Sequence, residues 1–332
     1  MTIRIGTIGS GSIVEHFLDA VENCDGVEYG VTYSRTRERA EAFARKRGAA
    51  ASCWKLDDLL SSDQADCIYI ASPNCFHFQQ AKQAMEAGKH VIVEKPAVSN
   101  LKEWKILEET AQMHQVFLME AVRHVYDPAM DAIRRGMKRI GTIRRASLRF
   151  CQYSSRYDKF RQGIVENAFK PELSNGALMD IGVYCVRMMA ELFGAPVKLL
   201  SHGIFLENGV DGAGTILGIY PGMDVELSYS KITNGMIGCE IQGEDGVILF
   251  SGVARPGKVE LVSRGGEREV LYDEDDGWNL EYEVQKFAGW MEKGDLQDPG
   301  YLRALKMSGL EMGIMDSARK QMGIVFPADG KQ

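Results

Sequence analysis

Apolar and polar positions alternate in blocks along the first third of the chain. Short apolar runs at residues 3–8, 28–34, 67–71, 90–94 and 116–120 are separated by helical patterns at 13–24, 37–47, 74–88 and 101–114. Near-continuous apolar strands that alternate with helices predict right-handed crossovers and a parallel sheet covered on both faces. The rhythm changes after Ala121. Asp127-Pro128 opens a helix, and residues 143–272 read as strands joined by short turns such as Tyr220-Pro221-Gly222-Met223 and Gly243-Glu244-Asp245-Gly246. Adjacent hairpins make an antiparallel sheet. Helical patterns at 278–293 and 300–322 close the chain and are expected to pack against one of the sheets. The expected fold is α/β, with a doubly wound parallel sheet over residues 1–121 and an α+β domain over 122–332. Residues 151–175 show no sustained period, which suggests a lid or binding loop.

A chain of 332 residues suits two cores better than one. A net charge of -7 argues against a protein whose main partner is nucleic acid, which needs a basic face. Cys24, Cys53, Cys67, Cys75, Cys151, Cys185 and Cys239 have no metal-ligand spacing and read as reduced core residues. His16, His114, His124 and His202 offer no ligand pairing, so no metal site is expected. There is no run of eighteen apolar residues, and the first strand begins too early for a leader, so a cytoplasmic protein without a membrane partner is expected.

Candidate chemistry falls at the strand ends. Gly9-Ser10-Gly11, followed by Ser12-Ile13, lies between a strand and a helix, where backbone N–H groups can approach a pyrophosphate. Val14 stands where a third glycine or alanine is usual, which loosens the match. After the second strand the chain reads Ser34-Arg35, with no acid to grip the ribose hydroxyls of NAD. A small hydroxyl residue and an arginine suit a 2′-phosphate, predicting NADP over NAD, although Arg35 also fits a group of solvated charges with Arg37 and Arg39. Ser72-Pro73-Asn74 and His77 sit at another strand end, as a helix start and a possible cofactor contact. Glu94-Lys95-Pro96 places a lysine at the carboxyl edge of the sheet, where ligands bind; Glu94 alternates to the other side. Farther on, Asp180, Tyr184, Arg187 and Glu191 fall at helical spacing on one face of residues 176–193. The same spacing describes a water-facing stripe.

With these elements in place the chain resembles the Gfo/Idh/MocA family of dinucleotide-dependent oxidoreductases over essentially its full length. The resemblance is carried by Gly9-Ser10-Gly11-Ser12-Ile13, Ser34-Arg35, Ala71-Ser72-Pro73-Asn74 with His77, Ala87-Gly88-Lys89-His90-Val91, Glu94-Lys95-Pro96 and the stretch from Gly176 to Tyr184. Within the family it is most similar to the branch of glucose-fructose oxidoreductase and dimeric dihydrodiol dehydrogenase. The resemblance implies an N-terminal Rossmann domain, a C-terminal domain on a large, mostly antiparallel sheet, and an active site between them. It points to Lys95 beside the nicotinamide, to Asp180 and Tyr184 as the Asp-x-x-x-His/Tyr pair, and to a homodimer through the sheets.

The expected chemistry is reversible hydride transfer between nicotinamide and the hydroxyl or carbonyl carbon of a sugar, polyol or dihydrodiol. Lys95 is expected to stabilise the carbonyl oxygen, Tyr184 to move its proton and Asp180 to hold the pair in register. Free tyrosine titrates near about 10, and a neighbouring ammonium lowers that barrier. Arg156, Tyr157, Lys159, Phe160, Arg161 and Asn167 are candidates to line the substrate pocket. Two other functions fit the same elements: glycoside hydrolysis through transient oxidation by a held NAD, and a non-catalytic NADP-responsive regulator.

Overall fold

A computed structural model describes residues 2–274, 277 and 280–330. It divides into two compact units, Met1–Val122 with Trp278–Gly309, and Arg123–Gly277 with Leu310–Gln332. In the first, β1 (Ile3–Ile8), α1 (Ser12–Glu22), β2 (Val27–Tyr33), α2 (Arg37–Arg47), β3 (Ala51–Cys53) and α3 (Leu56–Leu60) are followed by β4 (Cys67–Ile70), α4 (His77–Glu86), β5 (His90–Glu94), α5 (Leu101–His114) and β6 (Leu118–Ala121). All strand pairs are parallel, in the order β3-β2-β1-β4-β5-β6. The direction of winding reverses between β1 and β4, which opens a crevice at the carboxyl ends of the strands. Ile8 lies opposite both Tyr33 and Ile70, and Ile70 lies opposite Val93. The turns after β1, β2, β4 and β5 therefore share one edge.

The second unit contains α6 (Pro128–Met137), β7 (Ile143–Cys151), α7 (Ser155–Arg161), α8 (Val183–Phe193) and the strands β8 (Lys198–Phe205), β9 (Asp211–Tyr220), β10 (Met223–Ser230), β11 (Cys239–Gly243), β12 (Gly246–Phe250), β13 (Val259–Ser263) and β14 (Arg268–Tyr272). Asp127 caps α6 by accepting the Ala129 amide at 2.8 Å. The eight strands run β14-β13-β12-β11-β7-β10-β9-β8, and only β7 and β10 pair in parallel. Val225, Leu227, Ile241 and Ile248 are fully buried on the face that α6 and α8 cover.

Three sequence expectations change. Residues 151–175 are not irregular throughout: α7 begins at a Ser154 cap that accepts the Arg156 amide, and short 3-10 turns cover Asn167–Phe169 and Pro171–Leu173. A seven-residue helix is too short to display a period. The strand β3 and the helix α3 escaped notice because Ala51–Cys53 is three half-buried residues rather than an apolar run. The last two helices, α9 (Glu281–Lys293) and α10 (Pro299–Met322), do not both belong with residues 122–277. α9 packs on α1, and Leu118 donates its amide to the Tyr301 hydroxyl at 3.1 Å, so residues 280–309 complete the first unit. Trp278, at the start of the expected helix, lies outside the described residues.

Candidate active site

In the first unit, the turn after β1 is built for close backbone approach. Gly9 has φ +118°, and a Cβ there would stand 2.8 Å from the Ala71 carbonyl oxygen, so only glycine fits. A Cβ at Gly11 would meet nothing within 4 Å, and Gly11 starts α1 without a side-chain cap. An open cradle at a helix N-terminus fits a pyrophosphate. Ser10, Gly11 and Ser12 are exposed there and Ile13 is half-buried, while Val14 is fully buried against the strand.

The neighbouring strand ends supply the other residues. Ser34 donates its amide to the Cys53 carbonyl at 3.1 Å, and Arg35 is exposed. Arg37, which shared the group of arginines, is engaged: it pairs with Glu41 at 2.7 Å and lies over the Trp54 ring at 4.9 Å. Trp54 directly follows β3 at this edge, and since β3 makes no apolar run, nothing in the sequence marks this position as a strand end. Ser72 bonds Gln80 at 2.6 Å, and Asn74 opens a 3-10 turn leading into α4. His77 is buried, with Nδ1 3.0 Å from the Pro96 oxygen and Nε2 2.7 Å from the Ser72 oxygen. Burial lowers its pKa against the pull of those two carbonyls, and the Lys95 ammonium lowers it further. A neutral ring has one N–H, so it can donate to only one of the two at a time.

Lys95 is half-buried at the end of β5, and its peptide bond to Pro96 is cis. Glu94 points into the core, where it accepts the Tyr69 hydroxyl at 2.6 Å; Tyr69 stacks on Phe17 at 3.7 Å. Its second oxygen accepts the Lys95 amide at 3.2 Å. These contacts make Glu94 a strut for the loop that presents Lys95.

In the second unit, Asp180 and Tyr184 do not lie on one regular helix. Leu178–Gly182 forms a π turn, with α8 starting at Val183, and such wide turns re-aim side chains. Asp211 secures the turn, accepting the Leu178 amide at 2.7 Å. Asp180 pairs with Lys231 at 2.6 Å, and Lys231 is buried. Tyr184 is half-buried, its ring 5.7 Å from both His124 and Phe150 and with the Arg123 guanidinium 6.0 Å above it. His124 is fully buried, and desolvation with Arg187, Arg123 and Arg134 nearby holds its pKa well below the usual value.

The water-facing stripe is overturned. Arg187 and Glu191 are buried, joined at 3.2 Å, and Arg187 also reaches Glu311 of α10 at 3.2 Å while Arg134 reaches Glu191 at 3.3 Å. This is an internal ion network, and two of its members, Arg187 and Arg134, act on His124, whose ring lies beside Tyr184.

The substrate candidates separate. Arg156 and Asn167 line a cavity of about 460 Å³ together with Glu166, Ala168, Asn175 and Asp180. Phe160 instead belongs to an apolar cluster with Phe169, Ala168 and Val210, against which Tyr157 packs. Lys159 is tied to Glu166 at 2.5 Å, and Arg161 is held through Tyr153, whose hydrogen bond raises its pKa. Asn175 and Glu166 join this cavity and Lys231 joins Asp180 without a sequence signal. A lysine after an alternating strand carries no mark that separates it from a surface lysine.

Residues 3–122 match the family model described as oxidoreductase family, NAD-binding Rossmann fold, and residues 130–249 match the Gfo/Idh/MocA C-terminal domain. The chain belongs to the Gfo/Idh/MocA oxidoreductase family. Among members of the family, it is 42% identical to scyllo-inositol 2-dehydrogenase (NADP(+)) IolU of Bacillus subtilis, across 98% of this chain and 99% of that protein. It is 28% identical to human trans-1,2-dihydrobenzene-1,2-diol dehydrogenase over 99% of both. The fold matches that of KijD10, a 3-ketoreductase from Actinomadura kijaniata solved with NADP and TDP-benzene, with a TM-score of 0.87 at 22% identity over 98% of this chain and 99% of that one. Among the described residues no group of side chains is arranged to hold a metal, and no helix is long and apolar enough to cross a membrane.

Proposed function

We propose that this family member is an NADP-preferring dehydrogenase acting on a CH–OH carbon of a cyclic polyol, with inositols as the first class to try. The observation that carries the polyol reading is the second-unit cavity. Its lining of Arg156, Glu166, Asn167, Asn175 and Asp180 is polar, and the Arg156 charge faces Glu166 at 3.6 Å. Such a lining offers hydroxyl partners without a net demand for a charged substrate. The likeness to the inositol enzyme of B. subtilis supports the same class.

The preference for NADP rests on Ser34 and Arg35 at the end of β2, where no acid stands, and on the NADP+ dependence of that relative. Gly9, Ser10, Gly11, Ser12 and Ile13 are assigned to the pyrophosphate, and Ser72, Pro73, Asn74, His77 and Lys95 to the nicotinamide side, while Glu94, expected from sequence as a cofactor contact, braces Lys95 from the core. Bound NADP supplies the hydride acceptor at its nicotinamide ring. Lys95 stabilises negative charge on the substrate oxygen by donating from Nζ. Tyr184 moves the hydroxyl proton, and Asp180 orients the polyol and the proton-transfer group.

A homodimer through the second sheet is part of this proposal. On the face opposite α6 and α8, register places Leu200 beside Leu217, Leu217 beside Glu226, and Gln242 beside Arg145 and Val247. Leu200 and Ile204 are 46% and 54% exposed there, an apolar margin that a second copy can cover. A cytoplasmic location belongs to the same reading, supported by Cys24, Cys67, Cys185 and Cys239, which are buried as small apolar side chains of the core.

The test is a panel of inositols, sugars, dihydrodiols and aryl glycosides with each cofactor, read at the nicotinamide absorbance. The expected result is polyol-dependent NADP reduction with little activity on NAD and no glycoside hydrolysis. Binding of NADP without turnover across the panel contradicts the proposal and favours a regulator.

A further inference from the structure

We propose that Lys231 is a positioning residue of this active site, whose buried ammonium fixes the Asp180 carboxylate and ties it to the cavity wall that carries Asn167. The inference rests on the reading of Asp180 as part of the polyol site. Lys231 follows β10, and its main chain is held on two sides: its amide donates to the Gly212 carbonyl at 2.9 Å, and its carbonyl accepts the Ser154 amide at 2.9 Å. The side chain passes over the Phe169 ring at 4.6 Å and is 3% exposed. Nζ then donates to the Ala168 carbonyl at 2.9 Å and meets Asp180 Oδ2 at 2.6 Å.

This placement is costly for a residue that only fills space. An ammonium removed from water loses its hydration, and a methionine of similar length would pack against Phe169 without that loss. What the charge adds is a joint. Ala168 and Asp180 both line the cavity, twelve residues apart in sequence, and one Nζ bonds to both. Lys231 thereby sets the spacing between Asn167, next to Ala168, and the carboxylate on the π turn. It also acts on Asp211, the anchor of that turn: burial raises the Asp211 pKa, and the Lys231 charge pulls against that rise. The other charged or titratable groups around this cluster are Arg156 and Glu166 at the cavity and Tyr229 of β10 beside Asp211.

The experiment uses the full chain with Lys231→Met and Lys231→Arg. With the polyol identified by the panel, Lys231→Met should lower kcat roughly 10- to 100-fold, the scale of a misplaced reacting group, and leave NADP affinity unchanged. Lys231→Arg, which keeps the charge, should recover part of the loss. A second readout needs no substrate. In protein carrying ¹³C-carboxyl aspartate, the Asp180 signal, assigned by its absence in Asp180→Asn, should titrate roughly 1 to 3 pH units higher in Lys231→Met. If that variant does not fold, Lys231→Gln, neutral but still a donor to Ala168, is read in the same way. An unmoved Asp180 titration, or a normal kcat in the uncharged variant, overturns the inference. Wild-type inactivity on every polyol instead overturns the proposed function, and the titration still decides the role of Lys231.

Discussion

Replacing Asp211 with asparagine should remove a loss of stability that the wild-type protein undergoes as pH rises. Asp211 is 2% exposed, accepts the Leu178 amide at 2.7 Å and packs so closely on Gly176 that a Cβ there would lie 1.8 Å from Oδ1. Burial raises its pKa from the usual 3.8 to about 7, against the lowering pull of the Leu178 and Ala177 amides and of Lys231. Because the folded value exceeds the unfolded one, the folded state holds an extra proton between these limits. Its contribution is greatest below the unfolded pKa and is lost as pH rises through the folded one. At about 1.36 kcal/mol per unit, the full displacement corresponds to roughly 4 kcal/mol. Asparagine keeps an oxygen for the Leu178 amide and does not titrate. Urea unfolding of both proteins from pH 4.5 to 8.5 isolates this group, since the other titrations cancel in the difference. The variant should gain roughly 3 to 4 kcal/mol relative to wild type across that range, levelling off above about pH 8. A difference that does not change with pH, or one in which wild type gains, refutes the reasoning.

Other outcomes follow from the same contacts. Arg187→Met leaves Glu191 and Glu311 buried without their shared guanidinium and should cost about 3 to 5 kcal/mol in unfolding experiments, with Arg187→Met/Glu311→Leu recovering part of it. A single variant as stable as wild type contradicts that network. Arg35→Ala should weaken NADP binding by roughly 10- to 100-fold, the scale of a charge-assisted hydrogen bond, and leave NAD binding nearly unchanged in titration calorimetry; equal losses count against the 2′-phosphate assignment. Gly9→Ala should abolish tight cofactor binding, because the new methyl meets the Ala71 carbonyl. Retained affinity means that the turn does not carry the pyrophosphate.

The cofactor half was the more legible in sequence because its information is local. Buried parallel strands read as apolar runs, and the residues that follow them fall at one edge as a consequence of all-parallel pairing. β3 escaped because three half-buried residues make no run, and Trp54 escaped with it. In the other half, period located Asp180, Tyr184, Arg187 and Glu191 but not their surroundings. What covers Arg187 is Glu311, 124 residues later. The π turn at Leu178–Gly182 had no compositional mark, and the aromatic character of Phe160 suggested a pocket wall when it belongs to a core. Lys231 depends wholly on tertiary contact, since its partners lie in segments 51 and 63 residues away in sequence.

The central claim is direct hydride transfer from a polyol carbon, and isotope transfer tests it most closely. The protein is incubated with NADP and an inositol deuterated at its ring carbons, and the reduced cofactor is analysed by mass spectrometry. The account predicts one deuterium per NADPH formed, with turnover strongly reduced in Lys95→Ala and Tyr184→Phe. NADPH without deuterium, or full turnover in both variants, contradicts it.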